Sequence, residues 1–237
     1  MNNTGFVAGT LVHTDKGLVP IQEIKVGDRV LSRPEWGGKN VPTEYKRASR
    51  AFCSGEDEII RLNCQKDSEY GDPDAPIYFE FMTPNHSIWD QEINNWVPAS
   101  EIEIGTLLSS VENKDNLRVV WVDKVWDSYS KNVGLANPIF AKEDLEADIM
   151  FKFEDTGYKV VYKEFNSDYY INESIVDKLD IKQVLEIHRN FVSKSWAGNK
   201  KPIQVPVLNL EVEGFHTYFI GETGIWVHDS TANAETQ

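Results

Sequence analysis

Short apolar runs broken by turn residues fill the chain from residue 5 to about 127. FVAGTLVHT stops at Asp15-Lys16-Gly17, a hairpin signal in which Gly17 can take positive φ. LVPIQEIKVGDRVLS follows, with Pro20 favouring an extended approach and Gly27-Asp28 marking a second turn. PEWGGKNVPTEYKR reads as loop. RASRAFCSG and EIIRLNC alternate on either side of Ser54–Asp57, which predicts a hairpin turning there. QKDSEYGDPDAP is loop, and IYFEFMT is a strand that ends at Pro84. From about 203 the pattern resumes with VPVLNLEVEG, GFHTYFI and GIWVH, followed by the polar tail STANAETQ. The fold class predicted for these parts is all-β.

The stretch 128–202 differs. FKFEDTGYKVVYKEF predicts a two-stranded ribbon turning at Asp155-Thr156-Gly157. NESIVDKLDIKQVLEIHRNFVSKSW predicts a helix: Ile175, Leu179, Val184, Leu185, His188 and Val192 give an apolar stripe, and Asn172 or Ser174 can cap it. This is a small α/β insertion, expected to stand as a separate lobe.

An internal repeat sharpens the picture. Val19-Pro20-Ile21-Gln22-Glu23-Ile24-Lys25-Val26-Gly27 and Val97-Pro98-Ala99-Ser100-Glu101-Ile102-Glu103-Ile104-Gly105 both read V-P-x-x-E-I-x-[VI]-G. Each precedes an apolar strand ending in Ser, RVLS and TLLS. The spacing is too long for a solenoid and fits two similar halves of one β domain.

The chain has 237 residues, enough for one generous domain or one domain with an insertion. Lys and Arg total 24 against 38 Asp and Glu, a net charge of −14. Such a surface repels phosphate, which argues against nucleic acid as the partner. No apolar run approaches the ~20 residues of a membrane span. MNNTGFVAGT has no basic segment ahead of an apolar run, so no secretory leader is read there. Two cysteines, Cys53 and Cys64, make neither a disulfide framework nor a metal site, and no H-E-x-x-H or C-x-x-C spacing marks a zinc hydrolase. Incidental metal binding by histidines stays open.

Three histidines stand where chemistry is conceivable. His86 closes Thr83-Pro84-Asn85-His86 just after a strand, and a Thr and a His so spaced can aim at one peptide as polarising group and general acid. Alone, the tetrapeptide is read first as a turn with an exposed imidazole. His216, near the end of the chain, alone suits a core histidine with a satisfied ring. His228 closes the last strand, ahead of Asp229 and Ser230. His13 and His188 are read as structural.

Together these segments are similar to the Hint (hedgehog/intein) family, closest to its bacterial intein-like and polymorphic-toxin type. The resemblance is carried, in the family's order, by FVAGTLVHT with the following GLVPI and KVGDRVLS, then TPNH, WVPA, LEVEGFHTYFIG and GIWVH. It implies a horseshoe of two pseudo-symmetric β halves, in agreement with the repeat. It divides the chain into an N-terminal flank 1–4, a Hint β domain 5–127 and 203–229, the insertion 128–202, and a C-terminal flank 230–237. The insertion matches nothing nameable, has no LAGLIDADG-type helices, and is expected to project away from the two junctions.

The resemblance implies self-processing, by splicing or cleavage at Thr4-Gly5 and Asp229-Ser230, with no cofactor, no metal and the flanking polypeptide as substrate. It implies a monomer, with no nucleic acid and no membrane as partner. No targeting signal fixes a location, and the host protein fits a secreted bacterial toxin or adhesin. Thr83 and His86 match the pair that polarises the first bond. His228 matches the residue assisting the second, His216 the one supporting its tetrahedral step, and Ser230 the downstream nucleophile. Two positions depart from the pattern. Gly5 stands at the first nucleophile and has no side chain to attack with. Asp229 stands where an Asn should cyclise, and a carboxylate is a poor nucleophile towards an amide. Asn209 stands where Asp is usual, which puts an acid–base contribution from that strand in doubt. These losses fit a precursor disabled deliberately, or a natural variant in which Ser230 attacks the Thr4 carbonyl directly. The rival from another class is a degenerate, non-catalytic Hint module serving as spacer or scaffold.

Overall fold

The two copies of the repeat fold alike, and their partners are arranged around them in mirror order. In the computed structural model the described residues are 3–37, 41–111, 115–136, 149–162 and 200–231, with isolated positions between 186 and 198. Strands β1 (Leu11–Thr14) and β2 (Gly17–Pro20) form a hairpin in the register Thr14 opposite Gly17, as the Asp15-Lys16-Gly17 signal predicts. A single 3₁₀ turn, Ile21–Glu23, then leads into β3 (Arg29–Ser32). The second copy runs β7 (His86–Asp90), β8 (Asn95–Pro98), a 3₁₀ turn at Ala99–Glu101, and β9 (Leu107–Leu108).

The correspondence extends to backbone hydrogen bonds. Pro20 and Pro98 enter their turns at φ −58° and −56°. Gly27 donates to the Ala48 carbonyl while Ala48 donates to Asp28. Gly105 donates to Val119 while Val119 donates to Thr106. Gly27 and Gly105 sit at φ +93° and +88°, the left-handed region in which glycine carries no Cβ penalty.

Ala48 belongs to β4 (Glu44–Glu58), and Val119 to β10 (Leu117–Lys124). Between the halves lie β16 (Thr217–Ile220) and β17 (Ile225–Thr231). With β5 (Ile60–Lys66), β6 (Tyr78–Met82) and β15 (Gln204–Val212), the main sheet follows the order β15-β4-β3-β1-β16-β17-β7-β9-β10-β5-β6. The central hairpin β16-β17 thus joins β1 of one half to β7 of the other. β4 and β5 are consecutive in the chain but far apart in this order, so the sheet curls until its ends meet. Phe6 closes the seam: it bridges to Leu208 in β15 and to Met82 in β6. The core inside the curl includes Val12, Val30, Leu62, Ile88, Leu108 and Tyr218. Burial of each large apolar side chain contributes roughly 1.5–3 kcal/mol.

Two expectations fail. No turn interrupts Ser54–Asp57, because β4 runs through it as one strand paired with β15 from Val212 opposite Ala48 to Gln204 opposite Glu58. The ladder shifts register between Val207 and Leu208, opposite Gly55 and Cys53, and Gly55 takes φ +112°. A bulge stands where turn-forming composition suggested a hairpin. Nor do the described strands of the inserted segment stand apart. A second, four-stranded sheet, β11 (Trp126–Ser130), β12 (Val133–Ala136), β13 (Ile149–Glu154) and β14 (Gly157–Tyr162), begins close to residue 128. Phe151, Phe153 and Val160 from it share a core with Val7, Phe81 and Val207 of the main sheet. Phe81 packs edge-on against Phe151 and Tyr158, ring centroids 4.9 Å apart in each case. The β13–β14 turn also reaches the N-terminal segment, where the Gln22 amide accepts from the Gly9 N–H and donates to the Thr156 carbonyl. The alternating aromatics of FKFEDTGY need cover, and the outer face of the β6 end supplies it. The helix expected around 172–196, with His188, falls almost wholly outside the described residues. Of that stretch Ile187 is buried beside Val133, Leu135 and Met150.

Candidate functional site

The seam that closes the sheet is also where the Thr4-Gly5 peptide lies. Phe6 exchanges backbone hydrogen bonds with Leu208 at 2.9 and 2.8 Å, and the Thr83 N–H donates to the Gly5 carbonyl at 3.0 Å. The Thr83 hydroxyl accepts from the Gly5 N–H at 3.2 Å. The carbonyl on the other side of the bond, that of Thr4, accepts from the Ser54 hydroxyl at 2.9 Å. The peptide is therefore held by a donor on its oxygen and an acceptor on its nitrogen.

His86 belongs to the same seam. Its N–H donates to the Thr83 carbonyl at 3.1 Å, closing the Thr83–His86 turn, and its ring meets Phe6 edge-on at 4.2 Å. The imidazole is fully buried and neither nitrogen makes a hydrogen bond of ordinary geometry. Burial, and next the neighbouring His228, push its pKa down to about 3, with the His228 backbone opposing weakly. The ring is neutral at physiological pH.

The segment around Asp229 converges on the same region through β17. The Asp229 N–H donates to the His216 carbonyl at 2.8 Å, and its carboxylate accepts from the Val212 N–H at 2.9 Å. His216 Nδ1 and His228 Nδ1 approach the two Asp229 oxygens at 3.4 and 3.5 Å. Asp229 is 7% exposed, and burial raises its pKa against the opposing pull of the Val212 N–H and the two imidazoles. His216 itself holds φ +56° and a half-exposed ring, so it is neither a strand residue nor a core histidine. Ser230 continues β17, and Thr231 pairs with His86 across the β17–β7 ladder.

One side chain touches both Thr4 and Asp229. Asn209 Nδ2 donates to Thr4 Oγ1 at 3.1 Å and to the Asp229 carbonyl at 3.2 Å. Its Oδ1 accepts from the Tyr218 hydroxyl at 2.7 Å, which fixes the amide's orientation.

No family model matches this chain, and no curated protein matches it. Solved structures do. The DnaB intein from Synechocystis sp. PCC 6803 is similar over 96% of this chain and 99% of its own, with 12% identity and a TM-score of 0.50. A bacterial intein-like domain from Clostridium thermocellum is similar over 94% of this chain and 97% of its own, with 18% identity and a TM-score of 0.48. The chain has the Hint (intein) fold.

In this Hint fold the positions singled out in the sequence gather within one region: Gly5, Thr83 and His86 at the seam, His216, His228 and Asp229 beside it. His13 lies elsewhere, its Nε2 bonded to the Gly221 carbonyl at 2.8 Å, a tie between β1 and the β16–β17 turn. Sequence reasoning missed Ser54 and Glu35. Ser54 was hidden in a stretch read as a turn. Glu35 sits in a loop-like run, yet its carboxylate lies 2.6 Å from His228 Nε2. Neither carried a local signal, because pairing of distant strands brings both to the site. Among the described residues no group of three or more His, Cys, Asp or Glu side chains converges as metal ligands.

Proposed function

We propose that this Hint domain is an intein-like autoprocessing domain whose substrate is its own flanking chain, held unprocessed by Gly5 and Asp229. The observation that carries this reading is the Asn209 amide, which reaches Thr4 and Asp229 at once. Proximity of this kind makes an acyl transfer or a cyclisation effectively unimolecular. Thr83 and Ser54 are the groups that hold and polarise the Thr4-Gly5 peptide, with His86 as the buried neutral acid–base beside it. His228 and His216 serve the Asp229-Ser230 bond, and Ser230 is the downstream nucleophile. At residue 5 there is no nucleophile, and at residue 229 there is a carboxylate in place of a cyclising amide.

Asp229→Asn tests the reading. The introduced carboxamide is expected to cyclise onto its own carbonyl and release residues 230–237, so that intact-mass measurement finds a chain ending at 229 short of one water. A folded Asp229→Asn chain that keeps its full mass overturns the proposal. A second reading, a non-catalytic scaffold, is favoured by the packing at Gly5: a β-carbon there would collide with the Leu208 carbonyl. It predicts that same intact mass.

A further inference from the structure

Glu35 follows β3 in Pro34-Glu35-Trp36, and nothing in that tripeptide marks it for chemistry. Its backbone is fixed from two sides. The Glu35 N–H donates to the Phe215 carbonyl at 3.2 Å, and the Trp96 indole N–H donates to the Glu35 carbonyl at 3.3 Å. The carboxylate so placed meets His228 Nε2 at 2.6 Å. Trp96 also packs edge-on against the imidazole, ring centroids 5.0 Å apart, which opposes rotation of the ring. The His228 side chain is only 13% exposed.

The two ring nitrogens are therefore unequal. A carboxylate only accepts, so the Nε2 contact requires the proton on Nε2. At 2.6 Å it is a full charge-assisted hydrogen bond, whereas the contact of Nδ1 with Asp229 at 3.5 Å falls outside hydrogen-bond range. A neutral His228 ring thus keeps its proton towards Glu35 and turns the Nδ1 lone pair towards residue 229. Among the described residues, His86 on the seam and His216 across the Asp229 carboxylate are further titratable groups near the ring.

We infer that Glu35 is the positioning residue for His228, fixing its Nε2–H tautomer so that Nδ1 faces the 229–230 bond. The inference rests on the autoprocessing reading. With a carboxamide at 229, its nitrogen attacks the carbonyl carbon of the same residue. One C–N bond forms in the ring, and the C–N bond to Ser230 breaks. Nδ1 takes the proton that the attacking nitrogen sheds and hands it to the departing amine, so the imidazole ends as it began. No external acid, base or oxidant is needed. The opposite tautomer would present an N–H to the attacking nitrogen and leave its proton nowhere to go.

Nitrogen NMR of the His228 ring in the full chain, at a pH where the ring is neutral, tests this directly. The unaltered chain is expected to show one tautomer, protonated at Nε2, and Glu35→Ala a mixture. Glu35→Gln keeps the volume, and its carboxamide can donate as well as accept, so it too is expected to loosen the preference. In the Asp229→Asn background, Glu35→Ala is expected to slow release of residues 230–237 by about tenfold or more. A mixed or Nδ1-protonated ring in the unaltered chain overturns the inference. So does a tautomer that survives both substitutions in folded protein. If the tautomer shifts as expected but Asp229→Asn releases nothing, Glu35 still positions the ring and it is the autoprocessing reading that falls.

Discussion

The carbonyl of Leu208 occupies the space where a side chain on Gly5 would begin, with its carbon 2.9 Å from the site of a β-carbon. Both are backbone positions of paired segments, since Phe6 and Leu208 exchange two hydrogen bonds. Relief of the clash therefore requires β15 to move. Gly5→Ala is expected to lower stability by roughly 1–3 kcal/mol, the usual cost of overpacking a closed site, as read from urea denaturation. Gly5→Cys is expected to cost at least as much and to yield no peptide releasable by added thiol. Thiol-dependent loss of residues 1–4 would show that the seam opens to admit a nucleophile.

Asn209 holds Thr4, Asp229 and one buried phenol with a single amide. Asn209→Ala leaves the Tyr218 hydroxyl and the Asp229 carbonyl without that partner, at an expected cost of roughly 1–3 kcal/mol. Adding Tyr218→Phe removes the stranded hydroxyl. The double variant should therefore be less destabilised than the sum of the two single ones, and a double-mutant cycle in urea measures the difference. Strict additivity would place the Tyr218 hydroxyl outside the network.

The Thr83 hydroxyl accepts from the Gly5 N–H in a fully buried setting. Thr83→Val keeps the shape and removes the acceptor, so it should destabilise by roughly 1–3 kcal/mol, whereas Thr83→Ser should stay within about 1 kcal/mol of the unaltered chain. Thermal unfolding of the pair separates loss of the hydrogen bond from loss of the methyl group. Equal losses would assign Thr83 to packing alone.

His86 is a base whose folded-state pKa lies below its unfolded value of 6.5, near 3, chiefly because it is buried. The unfolded chain then binds the extra proton across that window. Its contribution is complete above about pH 6.5 and is lost as pH falls towards 3, a change on the order of a few kcal/mol. Denaturation midpoints measured between pH 7 and 4 should fall less steeply in His86→Gln. An unchanged slope would mean that other groups set the acid sensitivity.

How much of this was legible depends on how local each feature is. The duplicated turn is written in Pro20, Gly27, Pro98 and Gly105, residues whose own backbone preferences make the turn, and the first hairpin is written in Asp15-Lys16-Gly17. Ser54–Asp57 misleads because its turn-forming residues are overruled by a partner strand some 150 positions further along the chain, which holds them extended around a bulge. The second sheet misleads differently. Its strands are readable, but whether Phe151, Phe153 and Tyr158 face solvent, a helix or another sheet depends on Phe79 and Phe81 being free to receive them. At the site, His86 and His228 stand out by residue type and strand position. Glu35 and Ser54 have only their three-dimensional neighbours to distinguish them.

Because one amide spans Thr4 and Asp229, the two ends of the fold leave it side by side. A domain with adjoining ends can be set into a surface loop of another protein at little more geometric cost than a hairpin, since the strands it interrupts need hardly separate. The host's own folding is then largely independent of the guest. Joining the ends instead and cutting the chain at a distant turn, such as Asp15-Lys16, should yield a circular permutant with the same sheet, in which the seam around Phe6 is an ordinary internal strand.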